Sequence, residues 1–259
     1  MSKLQIISFA QADDNYAWLI VDDSLKIAAL VDAVCGDEIK SYLNKNDLKL
    51  THILNTHHHW DHIGANKSLL HKDLIIVASK YDFERKRIPY QNKSVIKEDI
   101  ITFGDSKIIV KELKGHTLGH IGYLVENHFF CGDTIFLGGC GRLFEGTYIQ
   151  MHNTINSVLN ILDDETLLYP AHEYSKNNLL FSKSLILDDI CKEAIDIVDT
   201  RLENKACSLP TRVLDEKRWN PFYRINELKY LKSLNCLSNE AKTSPELAFK
   251  EIRILKDNF

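Results

Sequence analysis

The segment NTHHHWDHIG combines histidine and carboxylate side chains at a spacing that suits metal binding. His57 and His59 are two positions apart, and Asp61 and His62 follow closely. On a loop that leaves a strand, this spacing lets alternate side chains converge, and we expect His58 to turn away and hydrogen-bond locally. Neutral imidazole and carboxylate groups are ligands for divalent ions such as zinc, iron or manganese. The segment therefore predicts a metal site rather than a solvated polar loop.

Three further polar residues each end or follow an apolar stretch. His116 lies in KELKGHTLGH, Asp133 in FFCGDTIF and His172 in TLLYPAHEY. Taken alone, each is better explained as a strand-end histidine or a helix-capping aspartate. Together with the first four residues they make five histidines and two carboxylates. That set is large enough for two metal ions that share a bridging carboxylate and a bridging water.

The elements that must position these residues change in type along the chain. The apolar stretches LQIISFA, AWLIVDD and KIAALVDA predict three consecutive antiparallel strands, and LIIVAS, KIIVKEL, HIGYLVEN and HFFCGD continue the series. EIKSYLNKN and YIQMHNTINSVLNIL have apolar residues at helical spacing. After His172 follow one long charged amphipathic stretch, from NNLLF to LENKA, and the shorter INELKYLKSL and PELAFKEIRILKDNF. We therefore predict a mixed α/β domain over 1–172 and a helical domain over 173–259.

The composition excludes several classes of function. The chain has 259 residues and a net charge of −4, and it lacks a basic tract of the kind that binds nucleic acid. Its start shows no signal peptide, and no segment approaches the roughly 18 apolar residues of a membrane span. The six cysteines are not closely paired, which is typical of reduced thiols. We expect a monomeric cytoplasmic enzyme that acts on a small molecule.

The motifs HHHWDH, GHTLGH, FCGDTIF and PAHEYS resemble those of the metallo-β-lactamase fold superfamily. More narrowly, CGRLFEGT, AHEYSKNNLLF, NPFYR and the final EIRILKDNF resemble the glyoxalase II family, the hydroxyacylglutathione hydrolases. This resemblance runs nearly end to end. It implies an αββα sandwich of the metallo-β-lactamase type, with the site at one edge of two facing sheets, followed by a C-terminal all-helical domain.

The resemblance also implies which residues bind the two divalent ions, with zinc the first choice and iron or manganese as alternatives. His57, His59 and His116 would hold the first ion. Asp61, His62 and His172 would hold the second ion, and Asp133 would bridge the two. A hydroxide held between the ions would attack the thioester of S-D-lactoylglutathione and release glutathione and D-lactate, the second step of methylglyoxal detoxification. Asp61 and Asp133 would be the catalytic carboxylates.

For the glutathione part of the substrate, the resemblance indicates Arg142, Phe144, Tyr174, Arg253 and Lys256. Arg253 and Lys256 are three positions apart, so both project from one face of the last helix. Members of the family usually have lysine and tyrosine where this chain has Arg142 and Phe144. Arginine keeps the charge with a different geometry, and phenylalanine loses a hydroxyl donor. We therefore expect a higher Michaelis constant but not a loss of activity.

Three other functions compete with this interpretation. A lactonase, a β-lactamase or a general thioesterase of the same fold would not need the cationic residues of the last helix. A mononuclear iron dioxygenase acting on glutathione persulfide would lack part of the second ligand set, which is complete in this sequence. A metal-storing or DNA-processing scaffold of the same superfamily is disfavoured by the net negative charge.

Overall fold

A computed structural model describes residues 4–186, 188–205 and 207–259 of the chain. These residues form two compact units. The first comprises 4–112 and 119–132, and the second comprises 113–118 and 133–259. The division into domains of 1–172 and 173–259, made from the sequence, stays a prediction.

The first unit contains ten strands and four short helices among its described residues. The strands are β1 (Gln5–Gln11), β2 (Asn15–Asp22), β3 (Ile27–Val31), β4 (Lys49–Leu54), β5 (Ile75–Ser79), β6 (Lys93–Val95), β7 (Ile100–Phe103), β8 (Ser106–Glu112), β9 (Ile121–Val125) and β10 (His128–Gly132). The helices are α1 (Asp37–Lys45), α2 (Trp60–Ile63), α3 (Asn66–Leu69) and α4 (Lys80–Glu84).

Strands β1 to β6 form one sheet in chain order. The first three strands are antiparallel, as the sequence predicts, whereas β3, β4, β5 and β6 are parallel. Parallel neighbours need crossover connections, and α1 supplies the one between β3 and β4. Strands β7 to β10 form an antiparallel meander. The hydroxyl of the buried Tyr123 in β9 lies 2.8 Å from the carbonyl oxygen of Asn55, so the meander faces the first sheet.

The core of the first sheet lies under α1. Ile39 and Leu43 of this helix are four positions apart and pack with Leu30 and Ile53 in one buried cluster. Acidic residues occupy the first turn of α1 and Lys45 the last, which favours the helix dipole at both ends. The carboxyl end of β4 is thereby fixed, and this is where the NTHHHWDHIG segment begins.

The second unit is mainly helical. Its strands are β11 (Ile135–Phe136), β12 (Gly139–Cys140), β13 (Leu167–Pro170) and β14 (Thr211–Arg212). Its helices are α5 (Tyr148–Ile161), α6 (Ser175–Leu185), α7 (Asp189–Lys205), α8 (Val213–Trp219), α9 (Pro221–Arg224), α10 (Leu228–Ser233) and α11 (Pro245–Asp257), with a 3-10 turn at Ala241–Thr243. Leu137, Leu179, Val198 and Trp219 belong to its apolar core.

The long helical stretch predicted after residue 173 is two helices. Helix α6 ends at Leu185 and α7 begins at Asp189, with Leu187 outside the described residues. The side chain of Asp188 accepts a hydrogen bond of 2.7 Å from the backbone N–H of Cys191. Aspartate at a helix start satisfies a backbone donor that has no partner within the helix. The charged pair in LILDDICK therefore marks a new helix, which the amphipathic pattern alone does not reveal.

Within the described ranges, every helix is too short or too polar to cross a lipid bilayer.

Candidate functional site

The four candidate ligands of the HHHWDH segment lie on the loop that leaves β4 and on α2. They are His57, His59, Asp61 and His62. Nε2 of His57 lies 3.0 Å from Nδ1 of His59, and Nε2 of His62 lies 3.5 Å from Oδ2 of Asp61. Ligand atoms of His57 and His62 lie within 4.8 Å of each other. His57 and His62 are buried, so a loop that folds back into a short helix has brought four donors together away from bulk water.

A buried carboxylate that the sequence analysis missed holds this segment in place. Oδ1 of Asp32 accepts from the backbone N–H of Thr56 at 2.8 Å, and Oδ2 accepts from its hydroxyl at 2.7 Å. Oδ2 also lies 2.8 Å from Nδ1 of His62. A carboxylate next to Nδ1 keeps the proton on that nitrogen and directs the Nε2 lone pair away from it. His62 is therefore oriented as a metal-ligating histidine is.

Asn15, at the start of β2, orients the remaining carboxylate of the segment. Its side-chain amide donates a hydrogen bond of 3.0 Å to Oδ2 of Asp61. Asn15 is buried, and a hydrogen bond from a fixed amide restricts the rotation of the carboxylate. The sequence offers no signal for this contact, because the two residues are 46 positions apart.

The two histidines assigned no metal lie beside this group. Nδ1 of His58 is 3.9 Å from a carboxylate oxygen of the buried Asp82, which Arg87 also contacts at 2.6 Å. His120 is buried and stacks on His57, with ring centroids 4.7 Å apart. His120 thus packs against a candidate ligand and supports its ring position.

The second unit holds the other three predicted ligands, arranged around one carboxylate. Oδ2 of Asp133 lies 3.4 Å from Nε2 of His116, and Oδ1 lies 3.4 Å from Nε2 of His172. All three side chains are buried. Each oxygen of Asp133 faces a different histidine, which is the arrangement that a carboxylate bridging two ions requires.

His116 also has a fixed orientation. Its Nδ1 lies 2.7 Å from the carbonyl oxygen of Arg142. Because a carbonyl oxygen can only accept, Nδ1 carries the proton and Nε2 keeps its lone pair on the side of Asp133. Each unit thus contributes imidazole and carboxylate donors of the kind that bind a divalent cation, and His62 and His116 are turned so that Nε2 is available as the ligand atom.

The loop that follows β12 is bonded to the His116 segment at several points. The backbone N–H groups of Phe144 and Glu145 donate to the carbonyl oxygen of His116, at 3.1 and 3.3 Å, and that of Gly146 donates to Gly115 at 3.0 Å. The carboxylate of Glu145 accepts from the N–H of Leu118 at 2.8 Å. We call residues 141–146 the recognition loop. It is held to the segment between β8 and β9, which carries the candidate metal ligand His116.

A cavity of about 280 Å³ lies in the second unit. Its lining includes four of the five residues that the resemblance assigned to the substrate: Arg142, Tyr174, Arg253 and Lys256. Phe144 is not one of the lining residues of this cavity; it is 64% exposed, and its ring meets the His116 ring edge-on at 5.1 Å. The predicted contact of Phe144 with substrate stays a prediction.

Cationic groups dominate the cavity. Arg253 is only 3% exposed, and its Nη1 donates to the carbonyl oxygen of Cys140 at 2.8 Å. Among the described residues, its Nε has no hydrogen-bond partner. Burial lowers the pKa of Lys256 to about 8, and the charge of Arg253 adds to this shift. A site with excess buried positive charge and an unsatisfied guanidinium N–H is suited to an anionic ligand.

One aromatic side chain joins the cavity to the metal-ligand set. Tyr174 lines the cavity and stacks on His172, with ring centroids 4.8 Å apart and the ring planes within 6° of parallel. A ligand bound in the cavity therefore lies next to a residue that contacts a candidate metal ligand.

The short hairpin of β11 and β12 forms part of the cavity wall and is held by a buried hydrogen-bond network. Glu216 is fully buried, and its carboxylate accepts from the backbone N–H of Gly138 at 3.0 Å and from Asn220 at 2.9 Å. The Asn220 amide also donates to the carbonyl oxygen of Gly139 at 2.9 Å. Burial raises the pKa of Glu216 to about 7, although its four hydrogen-bond donors oppose this shift. The hairpin follows Asp133 directly, so this network fixes both the ligand and the cavity wall.

Two protein-family models together match nearly the whole chain. Residues 11–172 match the model of the metallo-beta-lactamase superfamily, and residues 173–259 match that of the hydroxyacylglutathione hydrolase C-terminus. A hydroxyacylglutathione hydrolase of Crocosphaera subtropica is 37% identical over 99% of this chain and 100% of its own length. One of Shewanella loihica is 38% identical over 95% of this chain and 96% of its own.

Solved structures show the same fold at lower identity. ETHE1 from Myxococcus xanthus superimposes with a TM-score of 0.64 at 24% identity, over 96% of this chain and 98% of that one. The BLEG-1 B3 metallo-beta-lactamase superimposes with a TM-score of 0.63 at 19% identity, over 85% of this chain and 99% of that one. The family models and the curated relatives confirm the predicted fold class and enzyme class. The fold, together with the histidine and aspartate clusters, confirms the use of divalent metal ions. This chain belongs to the hydroxyacylglutathione hydrolase family of the metallo-β-lactamase superfamily.

Proposed function

We propose that this enzyme hydrolyses S-D-lactoylglutathione, and other 2-hydroxyacylglutathiones, to glutathione and the 2-hydroxy acid. This is the second step of methylglyoxal detoxification. One observation carries the proposal: Tyr174 lines the cationic cavity and also stacks on His172. His172 belongs with His116 and Asp133 to the cluster of candidate metal ligands. Glutathione has two carboxylates, which match the cations of the cavity, and its acylated sulfur would lie toward the metal ligands.

The assignment of the seven metal ligands is part of the proposal. His57, His59 and His116 would hold one ion, Asp61, His62 and His172 the other, and Asp133 both. The tautomers of His62 and His116 support this assignment, since each has its Nδ1 next to an acceptor and its Nε2 available to an ion. Zinc suits such ligands best, and iron or manganese would also be accepted.

When bound, two divalent ions would supply an activated water and would neutralise negative charge on the carbonyl oxygen of the substrate. The residues of this chain do the rest. Asp61, held by Asn15, presents a carboxylate that can accept a proton of the attacking water. Arg142, Arg253 and Lys256 bind the carboxylates of the glutathione part and so fix the thioester in place. The thiolate leaves readily, so little general-acid assistance is needed.

The same cavity argues against a lactonase. Its lining of two arginines and one lysine would be of no use to a neutral lactone ring. The similarity to a B3 metallo-beta-lactamase is at 19% identity and concerns the fold alone.

The decisive experiment is hydrolysis of S-D-lactoylglutathione by the purified protein, with and without a chelator, and with a lactone and a β-lactam as controls. We expect turnover of the thioester only, lost on chelation and restored by zinc, iron or manganese. Preferential cleavage of the lactone or the β-lactam would refute the proposal.

Asp133→Asn tests the metal assignment. An amide keeps the size of the side chain but cannot supply two anionic oxygens, so both metal content and turnover should fall. Metal content measured by elemental analysis should drop below two ions per chain. Full metal content together with unchanged turnover would contradict the bridging role.

We further propose a cytoplasmic monomer. The six cysteines of the sequence show no close pairing, which is typical of reduced thiols in a reducing compartment. Size-exclusion chromatography with light scattering tests the oligomeric state, and fractionation of the native cell tests the location.

A further inference from the structure

The carboxylate of Asp257 lies between two guanidinium groups at the cavity. Its Oδ1 is 3.1 Å from Nη2 of Arg253 and 3.4 Å from Nε of Arg142. Arg253 is one turn earlier on α11, whereas Arg142 belongs to the recognition loop. One carboxylate therefore links the last helix to this loop, and all three side chains line the cavity.

The two arginines differ greatly in how firmly the rest of the protein holds them. Arg253 is 3% exposed and is anchored by its bond to the carbonyl oxygen of Cys140. The Arg142 side chain is 65% exposed, and its contact with Asp257 is its one ion pair within the described residues. Without Asp257, the largely exposed Arg142 side chain would be repelled by Arg253 and Lys256 and would turn toward solvent.

The geometry of the pair also explains why arginine is useful at position 142. Asp257 contacts Nε, which leaves both Nη groups of the planar guanidinium available for a second carboxylate. A lysine here would offer three N–H donors on one nitrogen and would lack the planar fork that holds two carboxylates at separate edges. The charge count agrees: three cations and one carboxylate leave two net positive charges for the two carboxylates of glutathione.

We propose that Asp257 is a positioning residue that holds Arg142 beside Arg253 so that the pair binds a carboxylate of the glutathione part of the substrate. This inference rests on the proposed function and specifies how the cavity recognises its substrate. Asp257 acts through the two arginines and does not itself contact the reacting atoms.

The test compares Asp257→Asn, Arg142→Gln and the double variant, with steady-state kinetics on S-D-lactoylglutathione. We expect KM to rise about five- to twentyfold in each single variant, as for a charge-assisted contact, while kcat stays within twofold. Because the two residues act as one unit, the double variant should be no worse than the weaker-binding single variant. Asp257→Glu should restore part of the affinity. Glu246→Gln changes an exposed acid at the other end of α11 and should leave KM unchanged.

Calorimetry with S-methylglutathione separates this inference from the proposed function. If the wild-type protein binds the probe and Asp257→Asn binds it equally well, the positioning role is wrong and the proposed function stands. Additive effects in the double variant, or a fall in kcat at unchanged KM, would likewise overturn it. If the wild-type protein neither binds the probe nor hydrolyses the thioester, both proposals fail. Equal melting temperatures of the variants would exclude a loss of folding as the cause.

Discussion

The lowered pKa of Lys256 predicts that substrate affinity falls within an unusually accessible pH range. An ordinary lysine has a pKa of 10.5, and burial in the cavity together with the charge of Arg253 lowers that of Lys256 to about 8. Its Nζ donates to the carbonyl oxygen of Asn177 at 3.1 Å and lies 5.3 Å from the centre of the Phe181 ring. Neither neighbour carries a charge that would restore the usual value.

The size of the effect follows from the protonated fraction. With a pKa of about 8, roughly nine-tenths of Lys256 is an ammonium at pH 7 and roughly one-tenth at pH 9. Since only the ammonium attracts a substrate carboxylate, KM should rise by up to about tenfold between these two values. The Cys140 thiol, with a pKa of about 11, does not ionise in this range and leaves the lining unchanged.

The assay is KM for S-D-lactoylglutathione at intervals from pH 7 to pH 9, corrected for spontaneous hydrolysis of the thioester. Lys256→Arg is the matched control, because a guanidinium stays charged throughout and its profile should be nearly flat. The amine of the substrate also titrates in alkali, but it affects both proteins equally. The reasoning is refuted if the wild-type enzyme and Lys256→Arg show the same dependence of KM on pH.

Three further predictions concern metal binding and stability. Asn15→Ala removes a hydrogen bond to the Asp61 carboxylate, so the affinity for metal ions should fall about 10- to 100-fold in chelator competition; unchanged affinity would contradict the orienting role. Burial lowers the pKa of His152, which therefore favours its neutral form when folded, and stability should be lost as pH falls below about 6.5. His152→Leu should reduce the slope of unfolding free energy against pH there by at most about 1.4 kcal/mol per pH unit, and identical slopes would exclude His152 as the cause. Gly141→Ala would place a methyl group against the carbonyl oxygen of Asp133. Urea unfolding should therefore show lower stability, and the metal content should fall. A variant with unchanged stability and metal content would show that the loop can shift.

The metal ligands could be proposed from the sequence because each lies within a short motif. The residues that orient the ligands could not be found in this way. Asp32 and His62 are 30 positions apart, and Asn15 and Asp61 are 46 apart. The pairing of β2 with β3 and of β3 with β4 brings such pairs together, and no local pattern encodes that register. The buried Glu216 was missed for a similar reason, since a glutamate in a polar helix gives no sign that it will be buried.

The resemblance indicated which residues bind substrate, and the structure shows where their side chains lie. Helical spacing put Arg253 and Lys256 on one face, and both line the cavity. The Phe144 ring lies edge-on to the ring of His116, and its predicted contact with substrate stays a prediction. The direction of a side chain on an irregular loop depends on its backbone bonds, and these were not visible in the motif. The break between α6 and α7 was missed because an amphipathic pattern does not reveal the capping role of Asp188.

The bonding of the recognition loop to Gly115, His116 and Leu118 limits how substrate preference can change by mutation. Insertions or deletions in this loop would pull on the carbonyl group that fixes the His116 tautomer, so variants with a new preference would also lose metal. New specificities are therefore more accessible through positions of α11 that line the cavity, such as Lys256, because these do not belong to the bonded segments 115–118 and 141–146. Directed evolution that randomises α11 should yield active variants more often than randomisation of residues 141–146.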